Sequence, residues 1–106
     1  MKTRVWVTLQ KEALHCWPEC PFEEVEYLRR RHRHVFHIRC EIEVRHDDRD
    51  VEFIRWKQAI GCELDRLGYD LGRMSCEALA KLLLEKFQCC LVEVSEDGEN
   101  GASVEV

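Results

Sequence analysis

His34-Val35-Phe36-His37-Ile38-Arg39-Cys40-Glu41-Ile42-Glu43-Val44 is the stretch on which the fold turns. Its even positions (His34, Phe36, Ile38, Cys40, Ile42, Val44) are mostly apolar, and its odd positions (Val35, His37, Arg39, Glu41, Glu43) are mostly polar. A period of two marks a β-strand with one buried and one wetter face. By the same parity His32 joins His34 on the buried side, while His37 points away. Upstream, Val5, Val7 and Leu9 alternate with Arg4, Trp6, Thr8 and Gln10, so residues 3–16 read as a second strand with Ala13 and His15 on its apolar face. Between the two, Cys16-Trp17-Pro18-Glu19-Cys20-Pro21 breaks regular structure, because its prolines remove donors and fix φ. Residues 22–31 read as a loop or a short helical turn.

Downstream the period changes. Asp47-Asp48-Arg49-Asp50 is a turn whose acids suit the start of a helix. Phe53, Trp56, Ile60, Leu64 and Leu67 then form a helical stripe that Gly68 and Gly72 end. Ser75 is placed to cap a second helix with Cys76, Leu79, Ala80, Leu83, Leu84 and Phe87 inward. Leu91-Val92-Glu93-Val94 reads as a third strand, Asp97 to Gly101 as a turn, and 102–106 as a fourth strand. The order is ββααββ, which predicts an α+β domain: a four-stranded antiparallel sheet with two helices on one face.

At 106 residues the chain predicts a single domain spanning 1–106. Charged residues make up 35% and apolar residues 45%, a globular balance that excludes a disordered tail. No stretch approaches the roughly 18 apolar residues of a membrane span. The first residues lack the apolar run of a secretory signal, and the seven cysteines are an odd number, so a reducing cytoplasmic setting is expected over a disulfide framework. Sixteen basic against 21 acidic residues give a net charge of −5, which argues against nucleic acid held by bulk charge.

Three groups of residues carry chemistry. His15, His32 and His34 fall on one face of two adjacent strands, and three neutral imidazoles can hold zinc with a fourth position open. The bland alternative is a strand-end histidine pair with an unrelated core histidine. A rival site combines Cys16 and Cys20 with His32 and His34, although one residue between the histidines is short of the usual zinc spacing. In the run Arg29-Arg30-Arg31-His32-Arg33-His34, the guanidiniums suit a phosphate-bearing small ligand, or else form a solvated loop that offsets Glu23, Glu24 and Glu26. Glu96 ends the third strand. A carboxylate there can accept two parallel hydrogen bonds from an amino–imino edge such as that of guanine or pterin, yet charged strand ends are commonplace.

Taken in order, these segments resemble the 6-pyruvoyltetrahydropterin synthase and 6-carboxytetrahydropterin synthase family, the zinc-dependent branch of the tunnelling-fold proteins. Ala13-Leu14-His15 matches that family's Ala-x-His, and His32-Arg33-His34-Val35-Phe36 is similar to its His-Gly-His-x-Tyr/Phe. Glu52-Phe53-Ile54-Arg55-Trp56-Lys57 is similar to its Asp-Phe-x-x-Leu-Lys, and Ser75-Cys76-Glu77-Ala78-Leu79-Ala80 to its Thr-x-Glu-x-Leu-Ala. Val94-Ser95-Glu96-Asp97 resembles its Val-x-Glu-Thr, whose Glu grips the pterin.

The resemblance implies zinc on His15, His32 and His34, a pterin or purine-like ring on Glu96, and a phosphate tail near Arg30, Arg31 and Arg33. It also implies a homo-oligomer, a hexamer or failing that a trimer, with sites between subunits, and a lyase-type parent reaction on a dihydroneopterin triphosphate leading toward tetrahydropterins or 7-deazapurine precursors. The chain departs from the pattern in the catalytic groups. Leu28 stands where the family places its catalytic Cys, and the segment between the helices holds no histidine for the family's Asp-His pair. Arg33 replaces the glycine between the two histidines. Cys16 or Cys20 replaces the missing thiol only if the loop folds back. The expectation is therefore a binding protein with doubtful turnover, or a non-catalytic oligomer that holds or sequesters a nucleotide-like ligand.

Overall fold

The alternating stretch forms strand β2 (His32–Val44) in a computed structural model that describes residues 1–106. It pairs antiparallel along its whole length with β1 (Thr3–His15), from Thr3 opposite Val44 to His15 opposite His32. On its other side β2 pairs with β3 (Leu91–Glu96), but only over Phe36 to Glu41, and β4 (Asn100–Glu105) closes the sheet in the order β1-β2-β3-β4. The start of β2 thus overhangs β3. His32 and His34 lie beyond the last β2–β3 pair, Phe36 opposite Glu96.

The apolar parity survives intact. Val7 and Ala13 of β1, Phe36, Ile38 and Cys40 of β2, and Val92 and Val94 of β3 are buried in one cluster. Against them pack α1 (Phe53–Arg66) through Ile60 and Leu64, and α2 (Cys76–Phe87) through Leu79, Ala80 and Leu83, so both helices cover one face of the sheet. Phe36 is 1% exposed, and its ring meets those of His15 and His34 edge-on at centroid distances of 5.1 and 5.8 Å. It is the floor on which the histidines stand. Truncating such a side chain to alanine costs about 3–5 kcal/mol.

Both helices begin on side-chain caps. The Ser75 hydroxyl accepts from the Ala78 N–H at 3.1 Å, as its position predicts, and the Glu52 carboxylate accepts from the Arg55 N–H at 3.1 Å. The α1 stripe is buried at Ile60 and Leu64, but Phe53 is 53% exposed, because the first helical turn hangs over the edge of β1 beside Val5 and Trp6. Near the other end of α1 Glu63 is buried, its carboxylate accepting from Arg66 at 2.7 and 2.6 Å and from Lys86 of α2 at 2.9 Å. Those hydrogen bonds, the Arg66 one foremost, pull the Glu63 carboxyl down to about 2.

Residues 22–31 resolve into a 3-10 helix, Glu23–Arg29, kinked at Val25. The first strand stops at His15, one residue short of the expected end, and the fourth starts at Asn100, not at Ala102. Asn100 and Gly101 can join the ladder because Gly101 has no Cβ. One built there would sit 2.1 Å from the Val94 carbonyl oxygen and 2.5 Å from Ser95 Cα. No helix is long and apolar enough to cross a membrane.

Candidate metal centre

His15 is held by its neighbours before its ring makes any contact. The segment that follows α1 lies along the end of β1: the Leu14 N–H donates to the Tyr69 carbonyl, the Leu71 N–H to the Leu14 carbonyl and the Cys16 N–H to the Gly72 carbonyl, each at 2.8 Å. His32 stands directly opposite His15 in the ladder, and His34 is two residues further on the same face. The three imidazole centroids are separated by 4.5, 5.0 and 5.4 Å.

The hydrogen bonds fix which ring nitrogen carries the proton. His15 Nδ1 lies 2.9 Å from the Met74 carbonyl oxygen, His32 Nδ1 2.8 Å from the Arg30 carbonyl oxygen, and His34 Nδ1 2.7 Å from the Asp97 carboxylate. All three partners only accept, so all three neutral rings are Nδ1–H tautomers with a bare lone pair on Nε2. All three Nε2 atoms are buried, without a hydrogen-bond donor to satisfy them.

Glu96 adds an acceptor to the cluster. Its Oε2 lies 3.0 Å from His15 Nε2 and its Oε1 3.6 Å from His34 Nε2. Lone pairs facing one another at these distances repel unless a cation lies among them. One proton bridging His15 and Glu96 would still leave the other two Nε2 atoms unsatisfied. A metal ion answers all four groups at once. The donor atoms of His15, His32, His34 and Glu96 lie within 4.8 Å of one another. A tetrahedral ion with bonds of about 2.0–2.1 Å holds its donors about 3.3 Å apart, so a small inward movement closes the cluster on one.

The outer contacts are those of metal-bound histidines, in which the second ring N–H is tied to a carboxylate or a carbonyl. Asp97 is the carboxylate here. It has φ +58°, its Oδ1 accepts from the Val35 N–H at 2.9 Å and its Oδ2 from His34. The Val35 N–H first, and then His34, hold its carboxyl below the ordinary aspartate value.

A cavity of about 520 Å³ opens over the cluster, lined by His15, His32 and Glu96 together with Cys16, Trp17, Leu28, Arg73, Met74, Ser75 and Cys76. Leu28 thus faces the cavity from the place where the family resemblance expects a thiol. Burial, and after it the Glu96 and Glu77 carboxylates, push the Cys76 thiol up to about 11, so it stays protonated at neutral pH. A larger hollow of about 980 Å³ is lined by His37, Arg39 and Glu93 of the strands and by Lys57 of α1. It mixes charges of both signs, and neither the three clustered histidines nor Glu96 lines it.

The other sequence candidates are dispersed. Cys16 lines the cavity, but Cys20 is 3% exposed and turns its thiol toward the Phe22 and Val25 carbonyls at 3.8 and 3.9 Å, so the rival cysteine–histidine site is not assembled. Arg30 pairs with Glu26 at 3.4 Å, Arg31 with Asp70 at 2.6 Å and Arg33 with Glu12 at 2.9 Å. None of the three lines the cavity. The cation that does is Arg73, which is ion-paired with Glu19. Asp97, against His34, and Arg73, on the cavity wall, are positions the sequence did not single out. Asp97 had a signal in its place directly after the strand-ending Glu96, whereas Arg73 had none.

No protein-family model matches the chain, and no curated protein matches it. The fold and the cluster define a small α+β protein with a candidate three-histidine, one-carboxylate metal site.

Proposed function

We propose that the protein is a zinc-binding relative of the 6-pyruvoyltetrahydropterin and 6-carboxytetrahydropterin synthases that holds a pterin or purine-like ring over its metal and turns it over weakly or not at all. The observation that carries the metal is the set of three buried Nε2 atoms left without a partner beside the Glu96 carboxylate. Three imidazoles and a carboxylate suit zinc as a borderline ion. When bound, it would polarise oxygens on the ligand's side chain.

The ring rests on the resemblance of Val94-Ser95-Glu96-Asp97 and on the size of the cavity, since about 520 Å³ lies within the 300–1,000 Å³ of small-molecule sites. Doubt about turnover rests on the lining. A general acid or base must reach the proton it moves and contributes roughly 10²–10⁴-fold. Here the thiol position is Leu28, and the segment between the helices spends its Asp70 on Arg31 and on the Gly72 N–H. These observations also favour the second reading, a non-catalytic protein that stores or senses its ligand. Both readings include a homo-oligomer: the sheet ends at β1 and β4, whose free edges are open to further pairing, and a hexamer or trimer is what the family resemblance implies.

The test is calorimetric titration of the zinc-loaded protein with neopterin and with GTP, beside a turnover assay on dihydroneopterin triphosphate. Binding with little turnover is the expected result, lost in Glu96→Ala and kept in Glu93→Ala, whose side chain lies on the helix-free face. Failure of the wild type to bind either probe removes the ring, and robust turnover removes the degenerate reading and points to Cys16.

A further inference from the structure

Glu96 stands in two places at once in the proposed function, and the geometry allows only one at a time. A ring gripped by its amino–imino edge takes both carboxylate oxygens, one for each N–H. In the structure those oxygens face the metal donors instead, Oε2 at 3.0 Å from His15 Nε2 and Oε1 at 3.6 Å from His34 Nε2. The Nδ1–H protons of both rings are committed to Met74 and Asp97, so neither contact is a hydrogen bond between neutral imidazole and carboxylate. A metal ion shared among them reconciles the carboxylate with the lone pairs of all three imidazoles at once.

We propose that Glu96 is the fourth donor of the metal in the ligand-free protein, and that a ring must draw it off the metal in order to bind. Recognition of the ring and opening of a coordination position are then one event. A ligand lacking the amino–imino edge leaves the carboxylate in place and the metal closed. The side chain has room to move: it is 22% exposed and lines the cavity, at the last residue of β3 where the β2–β3 ladder ends. Its backbone stays fixed, because the next residue, Asp97, is tied to Val35 through both its N–H and its carboxylate. The ligation rests on the metal centre alone, whereas the displacement rests on the pterin or purine reading.

Two measurements on the full chain separate them. In competition with a chromophoric chelator, Glu96→Ala and Glu96→Gln should each lower zinc affinity by about tenfold or more, as loss of an inner ligand must at least match the 10–100-fold of an outer contact. Glu93→Ala should leave it unchanged. In the cobalt-substituted protein, azide should leave the visible spectrum of the wild type unaltered and shift that of Glu96→Ala, whose fourth position is open. Added neopterin should then let azide in on the wild type. Zinc affinity within twofold of wild type in both Glu96 variants, or azide entering the wild type as readily as Glu96→Ala, overturns the ligation. Ligation that stands while neopterin binds by calorimetry yet admits no azide overturns the displacement alone, whereas neopterin and GTP that both fail to bind remove the ring reading and leave a four-donor closed site.

Discussion

Replacing Asp97 by asparagine alters one atom and reverses the demand made on His34. The Asp97 carboxylate accepts twice, from the Val35 N–H at 2.9 Å and from His34 Nδ1 at 2.7 Å. An amide has only one oxygen to offer. The Val35 N–H cannot accept, so the amide oxygen must remain there and the NH₂ must face His34 Nδ1. That nitrogen then has to be the bare one, and the ring proton moves to Nε2, where it points into the metal cluster. The opposite flip sets donor against donor at Val35 and costs about 1–3 kcal/mol for the N–H left unmade. Backbone strain does not confuse the result, because φ +58° at residue 97 is a conformation asparagine accepts. Losing the outer partner of a metal-bound histidine typically costs 10–100-fold in metal affinity, about 1.4–2.7 kcal/mol. The Asp97 side chain is 44% exposed, so water can replace a deleted carboxylate in part, but it cannot correct the tautomer that asparagine enforces. Chelator competition on Asp97→Asn should therefore show at least a tenfold loss of zinc affinity. Asp70→Asn, the same change at the Arg31 ion pair, should stay within twofold of wild type. Equal affinity in wild type and Asp97→Asn would refute the tautomer argument.

Gly101→Ala should destabilise the β3–β4 hairpin, since its Cβ falls 2.1 Å from the Val94 carbonyl oxygen; overpacking of about 1–3 kcal/mol lowers Tm by roughly 4 °C or more, and an unchanged melting curve would contradict the close approach. Acid stability should follow Glu63, whose carboxyl is held at about 2 against an ordinary 4.5. A depressed value stabilises the fold above the unfolded-state pKa and is lost as pH falls through the window from about 4.5 to about 2. Urea midpoints of the metal-free protein should accordingly fall over that window, and fall less steeply in Glu63→Gln; identical slopes would show that Glu63 is not the group responsible. Cys16→Ser and Cys20→Ser should both keep the metal, and X-ray absorption should find nitrogen and oxygen at about 2.0–2.1 Å, whereas a sulfur shell near 2.3 Å would restore the cysteine site.

The parts of this architecture set by period and parity were legible in the sequence. Alternation over 34–44 fixed β2, and counting twos from it put His32 and His34 on one side and turned His37 to the other. Ser75 was legible as a cap because its hydroxyl needs only the N–H of the residue three positions on, Ala78, in the helix that begins directly after it. What could not be read depends on where separate elements meet. Glu63 looks like a solvated helix residue until Lys86 arrives from α2 to share it with Arg66. The arginines looked like a clamp by their closeness in sequence to the histidines, but a strand sends adjacent side chains to opposite faces, and Arg33 finds Glu12 across the ladder. Asp97 orients His34 only because the β2–β3 register ends at Phe36 and Glu96 and the chain turns through a left-handed residue immediately afterwards. Neither the register nor the sign of φ is written in local composition.

The most direct test of the central claim, a metal held by the three histidines, is the zinc content of the purified chain after loading and exhaustive dialysis, compared among wild type, His15→Ala and His37→Ala. His15 and His37 lie on opposite faces of the same sheet, and only His15 brings an unpartnered Nε2 to the cluster. About one equivalent per chain is expected in wild type and His37→Ala, and a loss of tightly held zinc in His15→Ala. Equal retention, or equal loss, in the two variants would contradict it.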